Sequence, residues 1–365
     1  MELTKCKLGE LITQRREKND GSDLPICGVS KDGLIPPKQK DADTSIYNVF
    51  YRDDFIFNPA RMELNSIAIN DMYDRAICSS LYEVFYVHRT DLLLPHYLEL
   101  IIRQKWFTRY CEFLGQGSAR EYCRFGNISE IEIEFPPIEE QQKIVEYNTA
   151  IENRIALKQK INDNLLDSVQ AIFRSWFVDY DPFDGVCPSN WETGCVEDIA
   201  EFFDSMRKPL SSLERTDMER IYPYYGAVSI VDYVDDYIFD GEYLLVSEDG
   251  IYVVDENGHP LIQHISGKFW ANNHAHILKG KSGFNEDSLY LFLANTNMAP
   301  IVTGAAQPKI NQANLKNFPI TTPDSETMLK FNNIIQPFFD QRLTNESEIK
   351  KLEALQSLLL TRLVD

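Results

Sequence analysis

A shift of 187 residues carries the segment Ile128-Ser-Glu-Ile131-Glu-Ile133-Glu-Phe-Pro136 onto Leu315-Lys-Asn-Phe318-Pro-Ile320-Thr-Thr-Pro323, with Ile128, Ile131 and Ile133 on Leu315, Phe318 and Ile320 and proline on proline. The same shift runs on without a gap, from Ile144 onto Phe331, Ile151 onto Phe338, Leu165 onto Leu352 and Ile172 onto Leu359. Near the two starts, Leu8-Gly-Glu-Leu11 matches Val196-Glu-Asp-Ile199 at a shift of 188. A repeat on this scale dictates the architecture, because whatever buries the first copy must serve the second as well. Each copy reads as a globular unit followed by a helical one.

The helical units carry the clearer pattern. Counting in heptads from Ile144, the stretch from Glu139 to Phe177 places Ile144, Ile151, Lys158, Leu165 and Ile172 at one seam position, and Asn148, Ile155, Asn162, Val169 and Trp176 at the other, four residues on. The second copy has Phe331, Phe338, Asn345, Leu352 and Leu359 at the first, with Ile335, Arg342, Ile349, Gln356 and Leu363 at the second. About five heptads suffice for a coiled coil, and about 39 residues at about 1.5 Å each make a rod of about 58 Å. Pro337 is expected to kink the second helix or delay its start. A helix with one apolar stripe must bury it, and its repeat mate is the obvious partner. The expectation is an antiparallel intramolecular pair, with Lys158, Asn162, Asn345 and Gln356 setting register at some cost in stability. The alternative is that each helix packs only on its own globular unit.

The globular units read as mixed α/β. Tyr47 to Phe50, Phe55 to Phe57, Leu81 to Val87, Tyr243 to Val246 and Ile251 to Val254 are short aromatic and β-branched runs bounded by Asp, Asn and Gly, as strands are. Pro95 to Phe113 and Ser288 to Ala294 read as helical, and Asp179 to Trp191, rich in Asp, Pro and Gly, as a linker. The fold class expected is therefore α+β. Two mixed α/β domains, residues 1–135 and 191–322, alternate with helices at 136–178 and 323–365, and residues 179–190 join the copies.

Composition narrows the function. At 365 residues, 44% hydrophobic and 25% charged, the chain is an ordinary globular protein too long for one core. It has no apolar run of membrane-spanning length, and Met1 to Asp20 carries charge where a secretion signal would be apolar, so a cytoplasmic protein is expected. Seven cysteines, none in C-x-x-C spacing, fit reduced thiols better than disulfides or a zinc knuckle. The formal charge of −20 argues against polyanion binding by the whole surface. It is uneven, however: residues 1–135 hold 17 Lys and Arg against 21 Asp and Glu, and residues 190–323 hold 9 against 19. Contact with a polyanion must use a minority of the surface or a basic partner.

The chain carries none of the common catalytic signatures. It has no G-x-x-x-x-G-K-[ST] loop, no dinucleotide-binding G-x-G-x-x-G and no G-x-S-x-G elbow, and Leu114-Gly-Gln-Gly-Ser118 alone reads as a turn. Asn58-Pro-Ala-Arg61 lacks the two prolines and aromatic of an amino-methyltransferase tetrapeptide. His274 and His276 could share a metal if they left a strand on one face, but no carboxylate or thiol stands nearby at ligand spacing, so no metal is expected. The pairs Asp53-Asp54, Asp235-Asp236 and Glu248-Asp249 read as solvated charge.

What remains is a loop upstream of each helix: Gly115-Gln-Gly-Ser-Ala-Arg120-Glu-Tyr-Cys-Arg124 and Thr303-Gly-Ala-Ala-Gln307-Pro-Lys309-Ile-Asn311-Gln312. Glycines permit close backbone approach, and Gln, Asn, Arg and Lys carry the donors and acceptors that read base edges or hold phosphates. Each alone would pass for a surface loop; their equivalent placement in two repeats raises their interest.

The segment Thr303 to Ile320, followed by a helix ending Leu358-Leu-Leu-Thr-Arg-Leu363, resembles the DNA-specificity subunits of type I restriction-modification systems. So do Phe135-Pro-Pro-Ile-Glu-Glu-Gln-Gln-Lys-Ile144, Pro188-Ser-Asn-Trp191, Tyr222-Pro-Tyr-Tyr-Gly226 and Tyr237-Ile-Phe-Asp-Gly241, and more weakly Asn58 to Met62 and Cys78 to Tyr82. The first half departs from the pattern in having Gly115 to Arg124 where the second has Gly-Ala-Ala-Gln-Pro-Lys-Ile-Asn. The resemblance implies a non-catalytic subunit whose two target-recognition domains each read one half of a split site on double-stranded DNA. It further implies that the paired helices act as spacer and docking surface for methyltransferase subunits, two being the expected number, with restriction subunits as an optional addition and no membrane partner. S-adenosylmethionine is expected on the methyltransferase, and no cofactor on this chain. Candidate DNA contacts are Arg61, Arg120 and Arg124 in the first domain and Gln307, Lys309 and Asn311 in the second. The competing reading is a coiled-coil scaffold that joins proteins without reading DNA.

Overall fold

The computed structural model describes residues 3–31, 33–37, 43–115, 122–304 and 306–361, with the side chains of 114 and 115 left aside. The chain divides into two units, one of residues 1–158 and 348–365 and the other of residues 159–347.

In the first unit, strands β1 (Thr4–Lys7), β2 (Ile12–Arg15), β3 (Ile26–Ser30), β4 (Gly33–Ile35), β5 (Asn48–Tyr51), β6 (Phe55–Phe57), β7 (Ile67–Ile69), β8 (Arg75–Cys78) and β9 (Glu83–Val87) precede helices α1 (Pro95–Ile102), α2 (Lys105–Gly115) and α3 (Phe125–Ser129). Strand β10 (Glu132–Phe135) and the long helix α4 (Ile138–Phe177) follow. Two four-stranded sheets, ordered β2-β9-β6-β7 and β4-β3-β8-β5, stand beside a separate β1-β10 ribbon. Phe55, Phe57, Phe85, Tyr97 and Phe107 fill the main core. The helix expected over Pro95 to Phe113 is two helices, broken at Arg103-Gln104.

The second unit contains β11 (Glu192–Cys195), α5 (Val196–Ile199), β12 (Ala200–Phe202), α6 (Ser212–Thr216), β13 (Tyr222–Tyr225), β14 (Ile230–Val234), β15 (Phe239–Ser247), β16 (Ile262–Ala271) and β17 (Ala275–Gly280). Then come α7 (Glu286–Ala294), α8 (Gln312–Lys316), β18 (Pro319–Thr322) and the second long helix α9 (Ser325–Thr361). Its sheet runs β12-β17-β15-β16-β13-β14, beside a β11-β18 ribbon. Ile251 to Val254, expected as a strand, is a loop: its anchoring contacts come from distant segments, which no local alternation records. The expected linker is packed rather than loose, with the Trp191 ring 5.3 Å from Phe183 and 5.6 Å from Phe177.

The repeat in sequence is a repeat in register. Thr4 pairs with Phe135 in the first ribbon, and Glu192 with Thr322 in the second. Ile12 faces Val87 where Ala200 faces Gly280, and Phe57 faces Glu83 where Val246 faces His276.

Both long helices cross from one unit into the other, and within each unit their segments pack antiparallel. In the first unit Asn148 Oδ1 accepts from Gln356 Nε2 at 3.1 Å, and Lys158 Nζ lies 2.7 Å from Glu348, which Arg154 also engages. In the second, Asn162 meets Asn345, and Phe173, Trp176 and Phe177 pack on Phe331. The buried stripe drifts off the strict heptad, burying Phe173 and Phe339 ahead of Ile172 and Phe338. A straight helix of 3.6 residues per turn produces this drift. α9 begins at Ser325 and runs through Pro337, so the proline does not delay its start.

Candidate nucleic-acid interface

The first unit opens into a cleft of about 1890 Å³ between β3, the turn after β6, the turn after β8 and the residues leading into α3. Its lining counters the acidic balance of the chain. Arg15, Arg16, Lys18 and Lys31 come from the N-terminal strands and turns, Arg103 from the end of α1, and Arg61 and Arg124 from the segments after β6 and before α3; among the described residues the acids in the lining are Glu63 and Glu83. Three of these cations are already matched: Arg15 by Asp54 at 2.6 Å, Arg103 by Glu99 and Glu152, and Arg124 by Glu83 at 3.0 Å. Arg16, Lys18, Lys31 and Arg61 are exposed and make no ion pair among the described residues. Four unneutralised cations in a concave, partly apolar site, with Tyr47, Tyr82 and Tyr122 beside them, suit a polyanion with planar rings.

The loops that edge this cleft are clasped in the same way in both units. The backbone N–H of Cys123 donates to the Pro59 carbonyl at 3.0 Å, and that of Ile310, 187 residues later, donates to Glu248 at 2.9 Å. Pro59 lies two residues beyond Phe57 and Glu248 two beyond Val246, which are the register equivalents named above. The residue after each donor caps the next short helix, Arg124 for α3 and Asn311 for α8. The position facing Phe57 or Val246 completes the clasp. Glu83 accepts from Phe125 N–H at 2.8 Å and from Arg124, whereas His276 Nε2–H donates to the Ile310 carbonyl at 2.8 Å.

In the second unit the clasp rests on a buried charged network. His276 Nδ1 is 2.6 Å from Asp204, which also accepts from the Ile277 N–H and from Gln312. Arg207 donates to Glu248 and to the Ala275 carbonyl, both at 2.6 Å, and Lys309 Nζ lies 2.8 Å from Glu248. Burial opposes ionisation of Asp204 and Glu248, but hydrogen bonds and nearby positive charge win. His276, Ile277 and Arg207 hold Asp204, and Lys309 and Arg207 hold Glu248, below the usual carboxylate range. Asp204, Glu248 and His276 stand close enough to ligate one ion, yet the Arg207 guanidinium already provides the positive charge among them. His274 pairs instead with Asp249 at 2.6 Å, so the two histidines face different partners.

The residues singled out in the sequence have distinct placements. Arg61 and Arg124 line the cleft; Arg120 lies outside the described residues. Gln307 is exposed on a loop closed by paired backbone hydrogen bonds between Thr303 and Lys309, both 2.8 Å. Gly304 turns that loop at φ +84°, where a Cβ would come within 2.4 Å of the Gln307 carbonyl. Asn311 spends its side-chain oxygen on the Asn314 N–H at 2.8 Å, and Lys309 is charge-matched. Sequence reading passed over Arg16, Lys18 and Lys31, whose scattered positions leave no spacing signal.

A family model described as the type I restriction modification DNA specificity domain matches residues 6–167 and again 188–355. The MjaIX type I restriction enzyme specificity subunit of Methanocaldococcus jannaschii is 23% identical over 299 residues, covering 75% of this chain and 69% of that protein. A Haemophilus influenzae protein provisionally named a type I restriction enzyme specificity subunit is 38% identical over 128 residues; the match spans 35% of this chain and 32% of that relative. Among solved structures, the type I restriction-modification system S subunit from M. genitalium matches with a TM-score of 0.61 at 14% identity, covering 99% of this chain and 96% of that one. That last likeness is one of fold.

Proposed function

This chain belongs to the type I restriction-modification DNA specificity family, and from that membership we propose that each of its units reads one tract of a bipartite site on double-stranded DNA. The observation that carries the reading is the clasp built twice at equivalent register, once beside a cleft with four unmatched cations. In the first unit Arg16, Lys18, Lys31 and Arg61 position the phosphates, while Arg124 and the tyrosines face the bases. In the second unit the Thr303–Lys309 loop presents Gln307 to base edges, and Lys309 holds that loop through Glu248.

The chain performs no chemistry in this reading. Methyltransferase subunits, two in number, supply S-adenosylmethionine and the target-base pocket, dock on the long helices and contribute much of the positive charge that a protein of net charge −20 lacks. Restriction subunits are an optional addition to the same assembly. The seven free cysteines fit action in the reducing cytoplasm, where this DNA resides.

The test is a shift assay on the chain with its methyltransferase subunits. The expected result is sequence-selective binding that weakens as salt rises. Binding indifferent to sequence, with the assembly intact, supports a protein scaffold instead.

A further inference from the structure

We infer that Ile251 and Tyr252 form the base-contacting tip of the second unit and set sequence preference within its half of the site; this rests on the DNA-reading function proposed above. Ile251 is 82% exposed and Tyr252 72% exposed, among the most solvated large apolar side chains of the unit. Their exposure is imposed by anchors on both sides. On one side the Glu248 carbonyl accepts from Ile310 N–H, Asp249 pairs with His274, and Gly250 turns the chain at φ +152°. On the other, Val253 is buried and its carbonyl accepts from the Leu261 N–H at 3.0 Å. Only the two apolar side chains between these anchors project.

A pinned projection costs little entropy to hold in a bound geometry. Adjacent large apolar side chains held together in water favour a contact role, which singly scattered ones do not. Of the carboxylates that precede this tip, Glu248 is matched by Lys309 and Arg207, and Asp249 is hydrogen-bonded to His274. The tip shares the clasp with the Thr303–Lys309 loop, so it reaches the same groove as Gln307. Apolar contact with the thymine methyl or the face of an exposed base, both available to Ile and Tyr, discriminates sequence without adding charge. In the first unit the loop after β6 likewise carries an exposed Leu64 into the cleft lining.

The experiment selects DNA from a randomised pool with the chain assembled on its methyltransferase subunits, comparing parent, Ile251→Ser, Tyr252→Ser and the double variant, each checked for an unchanged melting temperature. The expected result is loss of base preference at one or two positions of one half-site and about tenfold weaker binding to the parent's sequence. The other half-site and the salt dependence should stay unchanged. If the variants select the parent's sequence with affinity within about twofold, or lose both half-sites together, the tip is not a base reader. If the parent itself selects no sequence, the DNA-reading function falls and this inference with it.

Discussion

Asn345 donates its side-chain Nδ2–H to Oδ1 of Asn162 at 2.8 Å, joining two buried amides across the antiparallel helix segments of the second unit. Both are further held, Asn162 by its Nδ2 near the Arg342 carbonyl and Asn345 by Gln341 Nε2 at 3.0 Å. Replacing Asn345 by Leu strands the Asn162 oxygen and is expected to cost about 1–3 kcal/mol. The double replacement Asn162→Leu/Asn345→Leu should cost less than the sum of the two singles, because neither buried amide then faces an apolar partner. Denaturant melts of the four proteins give the coupling; strict additivity would show that the amides do not act as a pair.

Arg61 is exposed, lines the cleft and has no carboxylate partner among the described residues. Arg61→Ala in the assembled complex should reduce the slope of log affinity against log salt by about 1 and weaken all sequences alike. Arg124→Ala should change that slope less, since Glu83 already neutralises the guanidinium. Equal slopes for Arg61→Ala and parent would remove Arg61 from the phosphate contacts.

Glu248 neutralises Lys309 and is itself held ionised by it and by Arg207. Glu248→Gln keeps an acceptor for both while releasing one positive charge at the clasp. Non-specific DNA affinity should rise, with a salt slope steeper by about 0.9. Lys309→Ala in the parent background should leave the slope nearly unchanged. The reverse ranking would mean that Lys309 leaves Glu248 for a phosphate when DNA binds.

Burial, with the charges of Glu242, Asp340 and Glu286 around it, pushes the Asp287 carboxyl up to about 7. The native state then keeps, between about pH 4 and pH 7, a proton that the unfolded chain has released, so stability falls as pH rises through that window. His264, pushed by burial down to about 4, gives the opposite slope below its ordinary value. At pH 8 His264 is neutral in both states and only the Asp287 carboxylate contributes. There Asp287→Asn should be more stable than the parent by up to about 4 kcal/mol, with the difference vanishing near pH 4. A pH-independent difference in melts would locate the effect in packing rather than in charge.

The repeat and the two long helices were legible because periodicity is a local record of burial, visible in Ile144, Ile151 and Val169 and again in Phe331 and Ile335. The exposed loop at Ile251 was not, because Val and Ile in a row look alike whether a strand or a pair of anchors holds them. The clasp was half legible: its two loops fell at equivalent places, but Asp204, Arg207, Glu248 and His276 come from three segments that only the folded sheet brings together. Asn311, a candidate DNA contact from its sequence, also caps α8 through its side-chain oxygen, a role its place before Gln312-Ala-Asn314 suggests. Of the cleft cations, Arg16, Lys18 and Lys31 left no trace in order or spacing.

Because α4 leaves the first unit and α9 enters it, the unit of residues 1–158 is completed by residues 348–361. A ribosome must therefore translate past residue 348 before that lobe can close, and until then the stripe that includes Asn148 and Ile151 waits in water. A stop codon placed between residues 348 and 361 should thus harm residues 1–158 more than the stretch immediately before the lesion.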